Sequence, residues 1–281
     1  MCHNCGASMS FYNFLNRVDP ELLKEYSLER YKNKGSNGTD SDEKVSNTAF
    51  GILNTNPPVF KKKPPLPSVG SLPEGHYAKV YVQGRKIPEA YMDSLYFAED
   101  FKDFVEVQMK IEKDGLKDND PRLVIPFYNE KKELVSFQGR SLGESKLRYI
   151  TVKLDENNHK VFGLDRIDLE RDVYVTEGPI DSMFLDNAIA TADANLKSAS
   201  RVVDKSKLIL VFDNEPRNKD ICRIMAKSIS EGKRIVIWPD WLTKKDINDI
   251  ILEGIDAFSL LLDNVYSGLE AGAKFAFWRK C

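Results

Sequence analysis

No stretch of this chain approaches the roughly 20 consecutive apolar residues that a membrane-spanning helix needs, and none has the pattern of a signal peptide. A membrane partner is therefore not expected. Cysteine is scarce, four in 281 residues, with Cys222 in an expected helix and Cys281 last. That is too little for a disulfide framework and points to a reducing, cytoplasmic setting. Neither sign of charge is in excess: 41 Lys and Arg face 43 Asp and Glu, for a net charge of −2. Any nucleic-acid surface has to be local. What is present, 42% hydrophobic and 30% charged residues, suits a globular chain with a real core and one to three domains.

The chain opens with Cys2-x-x-Cys5 and Gly6, a pair shaped like a zinc knuckle, whose tight turn aims two thiolates at one ion. A helix is expected from about Pro20 to Lys32. Residues 33–75 are rich in Gly, Ser, Asn, Pro and charge, too polar to fold alone, and read as a linker. From residue 76, "HYAKVYVQGR" and "PEAYMDSLYFA" read as short helical pieces and "DFKDFVEVQMKI" as a further helix. "RLVIPFYNEKKELVSFQGR" holds two apolar runs around a polar turn, a hairpin signal, and "RYITVKL" continues the β pattern. Over 161–255 the rhythm changes. The strands "DVYV", "KLILVF" and "RIVIW" alternate with the helices "PIDSMFLDNAIA", "DICRIMAKSISEG" and "KDINDIILEG". Continuous apolar strands alternating with helices signal an α/β core with a parallel sheet covered on both faces. Residues 256–281 read as a helical tail.

Each of the three strands in that core hands over to acids. The first leads to Glu177 and Asp181, the second to Asp213 and Glu215, and the third, after a loop, to Asp246 and Asp249. Ligands of parallel α/β sheets sit beyond the carboxyl ends of the strands, so these acids are placed to converge. Asp213 and Glu215, two apart, point the same way if the strand stays extended. Such a cluster raises its own pKa values or demands a cation. Mg²⁺ (or Mn²⁺) suits hard oxygen ligands and leaves positions open for phosphate. One acid after a strand is ordinarily a helix cap, and Asp246 also fits that description; Asp249 is the weakest member. Upstream, "VSFQGRSLGESKLRYITV" offers Gln138, Arg140, Lys146 and Arg148 around a Gly-containing turn, a cradle for phosphates or simply a solvated basic hairpin.

"TEGPIDSM", "VFDNEP" and "KDINDII" resemble the three acidic motifs of a TOPRIM domain. The "FQGR" segment before them resembles the basic subdomain that precedes TOPRIM in bacterial-type DNA primases. The wording "PRLVIPFYN", "VYVTEGPIDS" and "DNEPR" is most similar to primases of T-even-like phages. The likeness is strong over about 120–255 and weaker over 1–32 and 76–110. It implies an α/β fold in five parts: a partial zinc ribbon and helix (1–32), the linker (33–75), a small α+β basic subdomain (76–160), a Rossmann-like, mainly parallel TOPRIM core (161–255) and the helical segment (256–281).

The resemblance further implies an enzyme that makes short RNA primers on single-stranded DNA from ribonucleoside triphosphates, beside a replicative helicase in the cytoplasm of a bacterial host. On that analogy Glu177 is the key acid, Asp213 and Glu215 hold Mg²⁺, and Asp181 and Asp246 support them. Arg140, Lys146 and Arg148 would meet nucleotide phosphates or template.

Three departures stand out. Cys2 and Cys5, with His3 at most, fall short of four Zn²⁺ ligands, which suggests a start at an internal methionine. The usual Asp-x-Asp is Asp213-Asn214-Glu215. Asp193 stands where the family tends to small residues. The alternatives are a metal-dependent nuclease or topoisomerase of the same fold, or a non-catalytic adaptor for single-stranded DNA or helicase.

Overall fold

A computed structural model describes residues 64–109, 115–154, 159–192, 196 and 198–281. The Cys2/Cys5 module, the linker up to residue 63 and Asp193 lie outside the described residues.

The first part is a short helix, α1 (Tyr77–Gly84), followed by an antiparallel sheet. His76 Nδ1 accepts the Ala78 amide at 3.2 Å to start α1. Its Ala78 and Val82, one turn apart, face inward. Then come β1 (Tyr96–Ala98), α2 (Phe101–Met109), β2 (Arg122–Tyr128), β3 (Leu134–Ser141) and β4 (Tyr149–Lys153), in the order β1-β2-β3-β4. The β2–β3 hairpin turns at "NEKK", where Asn129 Oδ1 accepts the amides of Lys131 and Glu133 and Lys132 takes a φ of 61°. "PEAYMDSLYFA" departs from its helical expectation. Only Glu89–Tyr91 form a 3₁₀ turn, and Tyr96–Ala98 pairs with β2. A three-residue strand is too short to show its alternation.

The sheet is buried on both faces. Val124, Phe137 and Val152 pack against Phe101, Phe104 and Val105 of α2. Leu123, Ile125 and Phe127 pack against Val82 of α1 and against Phe162, Ile180, Met183 and Ala190 from farther along the chain. Gly139 lies where no side chain fits: a Cβ there would sit 2.5 Å from Phe101 Cε2 and 2.6 Å from its Cζ. Gly139→Ala is expected to destabilise the fold by about 1–3 kcal/mol through overpacking. Urea unfolding measures this, and an unchanged midpoint would show that the Phe101 ring can swing aside.

The second sheet contains β5 (Val173–Thr176), α3 (Pro179–Ser182), β6 (Ala188–Ala190), β7 (Leu208–Leu210), α4 (Lys219–Ser230), β8 (Arg234–Val236), α5 (Ile247–Leu252), α6 (Ala257–Leu262), β9 (Val265–Tyr266) and α7 (Gly268–Trp278). Its order is β6-β5-β7-β8-β9, parallel except for β8 with β9. The parallel core matches the sequence reading, with two differences. "PIDSMFLDNAIA" is helical only over Pro179–Ser182 and then returns as β6. Asn187 makes that reversal at φ 53°, its Nδ2 donating to the carbonyls of Asp168 and Asp172. The tail is not wholly helical, because β9 inserts between α6 and α7 and covers the free edge of β8.

Candidate active site

Sheet order brings the acids together. β5, β7 and β8 are immediate neighbours running the same way, so their carboxyl ends lie side by side at strand spacing, roughly 5 Å apart. Glu177 follows β5 and is exposed. Gly178 caps α3 and Pro179 begins it. Gly178 is needed because Asp181 folds back over the helix start: a Cβ at 178 would meet Asp181 Oδ2 at 2.9 Å.

After β7 the chain does not stay extended. The Glu215 amide donates to the Asp213 carbonyl at 2.9 Å, so a tight turn, not strand alternation, directs both carboxylates. They reach the same cation, with Lys245 Nζ 3.6 Å from Asp213 Oδ2 and 3.3 Å from Glu215 Oε1. Asp246 caps α5, its Oδ1 accepting the Asp249 amide at 2.8 Å. The cap role foreseen for Asp246 is therefore filled, and the residue still faces the other acids.

The electrostatics are those of a crowded anionic cluster. Burial, then Asp246 and Asp213, push Asp181 up to about 8 against the pull of the Asn248 amide, which donates to Asp181 Oδ1 at 3.0 Å. Burial and then Glu177 push Asp213 up to about 6, with Lys245 opposing. Among the described residues no three His, Cys, Asp or Glu side chains are gathered as a ready-made cation cage. Their hard oxygens and mutual repulsion nevertheless suit a divalent cation that draws them inward. In the unfolded chain both groups titrate near about 4. Between about pH 4 and 8 the folded chain then holds more protons than the unfolded one, so stability falls as pH rises through that window. The metal-free protein is expected to melt at a lower temperature at pH 8 than at pH 6. A melting temperature that climbs over that interval would contradict these protonation states.

The basic residues occupy the end of the first sheet. Lys146 and Arg148 are exposed on the β3–β4 loop. With Lys117 and Arg140 they line a groove of about 610 Å³ in which, among the described residues, Glu144 is the only acid. Arg140 lies within β3 rather than on the loop, only 7% exposed. Its guanidinium is 4.7 Å from the Tyr149 ring centroid and 5.7 Å from that of Tyr81, and its Nε donates to Tyr81 Oη at 3.0 Å. Gln138, on the same face of β3, donates to Thr151 Oγ1 at 3.1 Å.

Several residues the sequence reading passed over hold these groups in place. Arg122 is 1% exposed and donates to Asp120 Oδ2 (2.7 Å), the Gly139 carbonyl (2.9 Å) and the Leu147 carbonyl (2.9 Å), which fixes the basic loop. Asn248 clasps Arg85 at the end of α1. Arg85 Nη1 donates to Asn248 Oδ1 at 2.7 Å, and Asn248 Nδ2 donates to the Arg85 carbonyl at 2.7 Å. A continuous path thus runs from Arg140 through Tyr81, Arg85 and Asn248 to Asp181. The only signal for Lys245 was its place in "KKD", and Arg122 and Asn248 look like ordinary polar residues until the strands pair.

No family model matches the chain. A DNA primase of Enterobacteria phage T4 is 32% identical over 289 residues, covering 99% of this chain and 81% of that protein. Among solved structures, a DnaG primase catalytic domain bound to single-stranded DNA matches with a TM-score of 0.54 at 18% identity, covering 74% of this chain and 76% of that one. The zinc-binding and RNA polymerase domains of Aquifex aeolicus primase match with a TM-score of 0.50 at 19% identity, covering 73% of this chain and 62% of that one. The chain thus spans less than two thirds of the Aquifex protein's solved length. At these identities the structural matches speak for the fold.

Proposed function

The chain belongs to the DNA primase family, and we propose that it makes short RNA primers on single-stranded DNA, with the β5–β9 sheet as a TOPRIM-type catalytic core. The observation that carries this reading is the meeting of three acid-bearing strand ends, at Glu177, Asp213 and Asp246, in one parallel sheet. The four-stranded basic sheet before it serves as the subdomain that guides template and nucleotide. Residues 161–255 and 76–160 are the two working parts, with 256–281 as a support.

Asp213 and Glu215 would hold Mg²⁺ or Mn²⁺, with Asp246 and Asp181 beside them. The cation, when bound, lowers the pKa of the attacking 3′-hydroxyl and neutralises charge on the departing pyrophosphate. Glu177, exposed at the mouth, is placed to accept or orient the hydroxyl proton. Lys146, Arg148 and Lys117 present positive charge to the triphosphate or template backbone. Arg140, clamped between two tyrosine rings, holds a fixed guanidinium at the inner wall of the groove. For Zn²⁺ the chain offers Cys2 and Cys5, two of the four ligands a structural site takes, so no role is assigned to it. A replicative helicase in a bacterial cytoplasm fits as the partner of such an enzyme.

The test is RNA synthesis by the purified chain on single-stranded DNA with labelled ribonucleotides and Mg²⁺. DNA-dependent RNA products are expected. Mg²⁺-dependent plasmid nicking without RNA would replace this reading with a nuclease. DNA binding with neither activity would leave an adaptor.

A further inference from the structure

Asn214 stands between Asp213 and Glu215, and its polar groups are bonded to two other parts of the fold. Its Oδ1 accepts the indole N–H of Trp278, the last residue of α7, at 2.9 Å. Its Nδ2 donates to the carbonyls of Leu242 (2.9 Å) and Lys244 (3.0 Å), and its backbone amide donates to the Lys245 carbonyl at 2.6 Å. The stretch on either side is fixed as well. Trp238 Nε1 donates to the Phe212 carbonyl at 2.8 Å, and the Lys280 amide donates to the Pro216 carbonyl at 2.8 Å.

These bonds join the acidic loop after β7 to the loop after β8, the one that delivers Lys245 and Asp246. Asp246 on the second loop repels Asp213 on the first, while Lys245 beside it attracts both Asp213 and Glu215. Neutral hydrogen bonds from Asn214 oppose that repulsion without adding charge. An aspartate at 214 would still accept from the Trp278 indole but would set its second oxygen against the carbonyls of Leu242 and Lys244, and a glycine would leave those carbonyls and the indole unpaired. Trp278 is 3% exposed and stacks on Phe275, so the strut behind Asn214 is rigid.

Resting on the TOPRIM reading above, we infer that Asn214 and Trp278 are positioning residues. The C-terminal helix, through the Trp278–Asn214 bond, sets the spacing of Asp213 and Glu215 from Asp246 and so sets the divalent-cation concentration the enzyme requires. Groups that orient metal ligands from outside typically change metal affinity about 10–100-fold; Asn214 acts through the backbone it shares with Asp213 and Glu215.

The test uses the full chain and two variants, Trp278→Phe, which keeps an aromatic ring and removes the donor, and Asn214→Gly, which leaves the core untouched. Metal binding is read without catalysis, as the Mg²⁺ and Mn²⁺ concentrations giving half of the melting-temperature shift, and again as the Mg²⁺ requirement of primer synthesis. Each variant is expected to need about 10-fold more cation while the nucleotide KM stays put. The double variant should need no more cation than Asn214→Gly alone, since that variant already removes the bond that Trp278→Phe removes. If Trp278→Phe does not fold, the Asn214→Gly protein decides the matter. A cation requirement unchanged in a folded variant, with only the metal-free melting temperature lowered, would overturn the inference and leave Trp278 as core packing. A native chain with no response to either cation would overturn the TOPRIM reading itself, and this inference with it.

Discussion

Asp213→Asn is expected to lower primer synthesis by about 100-fold or more, the loss seen when one electrostatic contact to a transition state is removed, or about 2.7 kcal/mol of barrier. The substitution keeps the shape of the side chain and takes away its charge. Lys245 then has Glu215 to pair with, at 3.3 Å, and the site loses one of the two carboxylates proposed to hold the divalent cation. Stability should move the other way. Asp213 is a carboxyl pushed up to about 6 by burial and by Glu177, so its ionised form works against the fold at neutral pH. The asparagine protein should melt at a slightly higher temperature than the native chain at pH 8 without metal. Activity down with stability up is the signature of a group retained for function. Glu177→Gln should show a similar loss of activity. An Asp213→Asn protein as active as the native chain would remove Asp213 from the reaction.

Arg122→Ala is expected to destabilise the fold by about 3–5 kcal/mol, the cost of breaking a buried charged contact and stranding its partners. For a domain of this size that corresponds to a fall in Tm of roughly 6–20 °C, at about 2–4 °C per kcal/mol. Arg122 is almost fully buried, and its guanidinium joins three parts of the basic sheet: Asp120 before β2, Gly139 in β3 and Leu147 on the loop. The ring of Phe101 lies 5.6 Å from it on a further side. Arg122→Lys should recover little, since an ammonium cannot serve the fork of acceptors that a planar guanidinium reaches. Differential scanning calorimetry measures the fall. A loss under 1 kcal/mol would mean that water replaces the arginine and that the β3–β4 loop needs no internal anchor.

The residues legible in the sequence were those attached to apolar runs that alternate with helices, although β5, β7 and β8 themselves have only four, three and three residues. β5, β7 and β8 are continuous apolar strands, so the acids at their ends could be placed in one crevice from the alternation of strands and helices alone. Lys146 and Arg148 announced themselves by their charge beside a turn. β1, β6 and β9, with three, three and two residues, run straight on from stretches that read as helical, so nothing in the pattern set them apart. Arg140 read as one side of a basic cradle around a Gly-containing turn, but the strand runs on through Ser141, which buries its side chain between two tyrosines. Lys245, Asn248 and Trp278 owe their roles to partners dozens to more than a hundred positions away, as with Asn248 and Arg85 and Trp278 and Asn214. No local pattern encodes such a pairing, and only the folded chain brings the partners together.

The Arg85–Asn248 clasp has a consequence in time. It closes a separation of 163 residues, far beyond what local contacts span, and contacts of that kind form late because the loop entropy must be overcome first. A nascent chain that has reached residue 160 carries every strand of the basic sheet, but Ile180, Met183 and Ala190, which cover one face of that sheet, have still to be made. The β1–β4 sheet can begin to order early. Asp246, at the start of α5, joins Glu177 and Asp213 only once that helix is made and Asn248 seats against α1, so the acidic site is the last part of the fold to be complete.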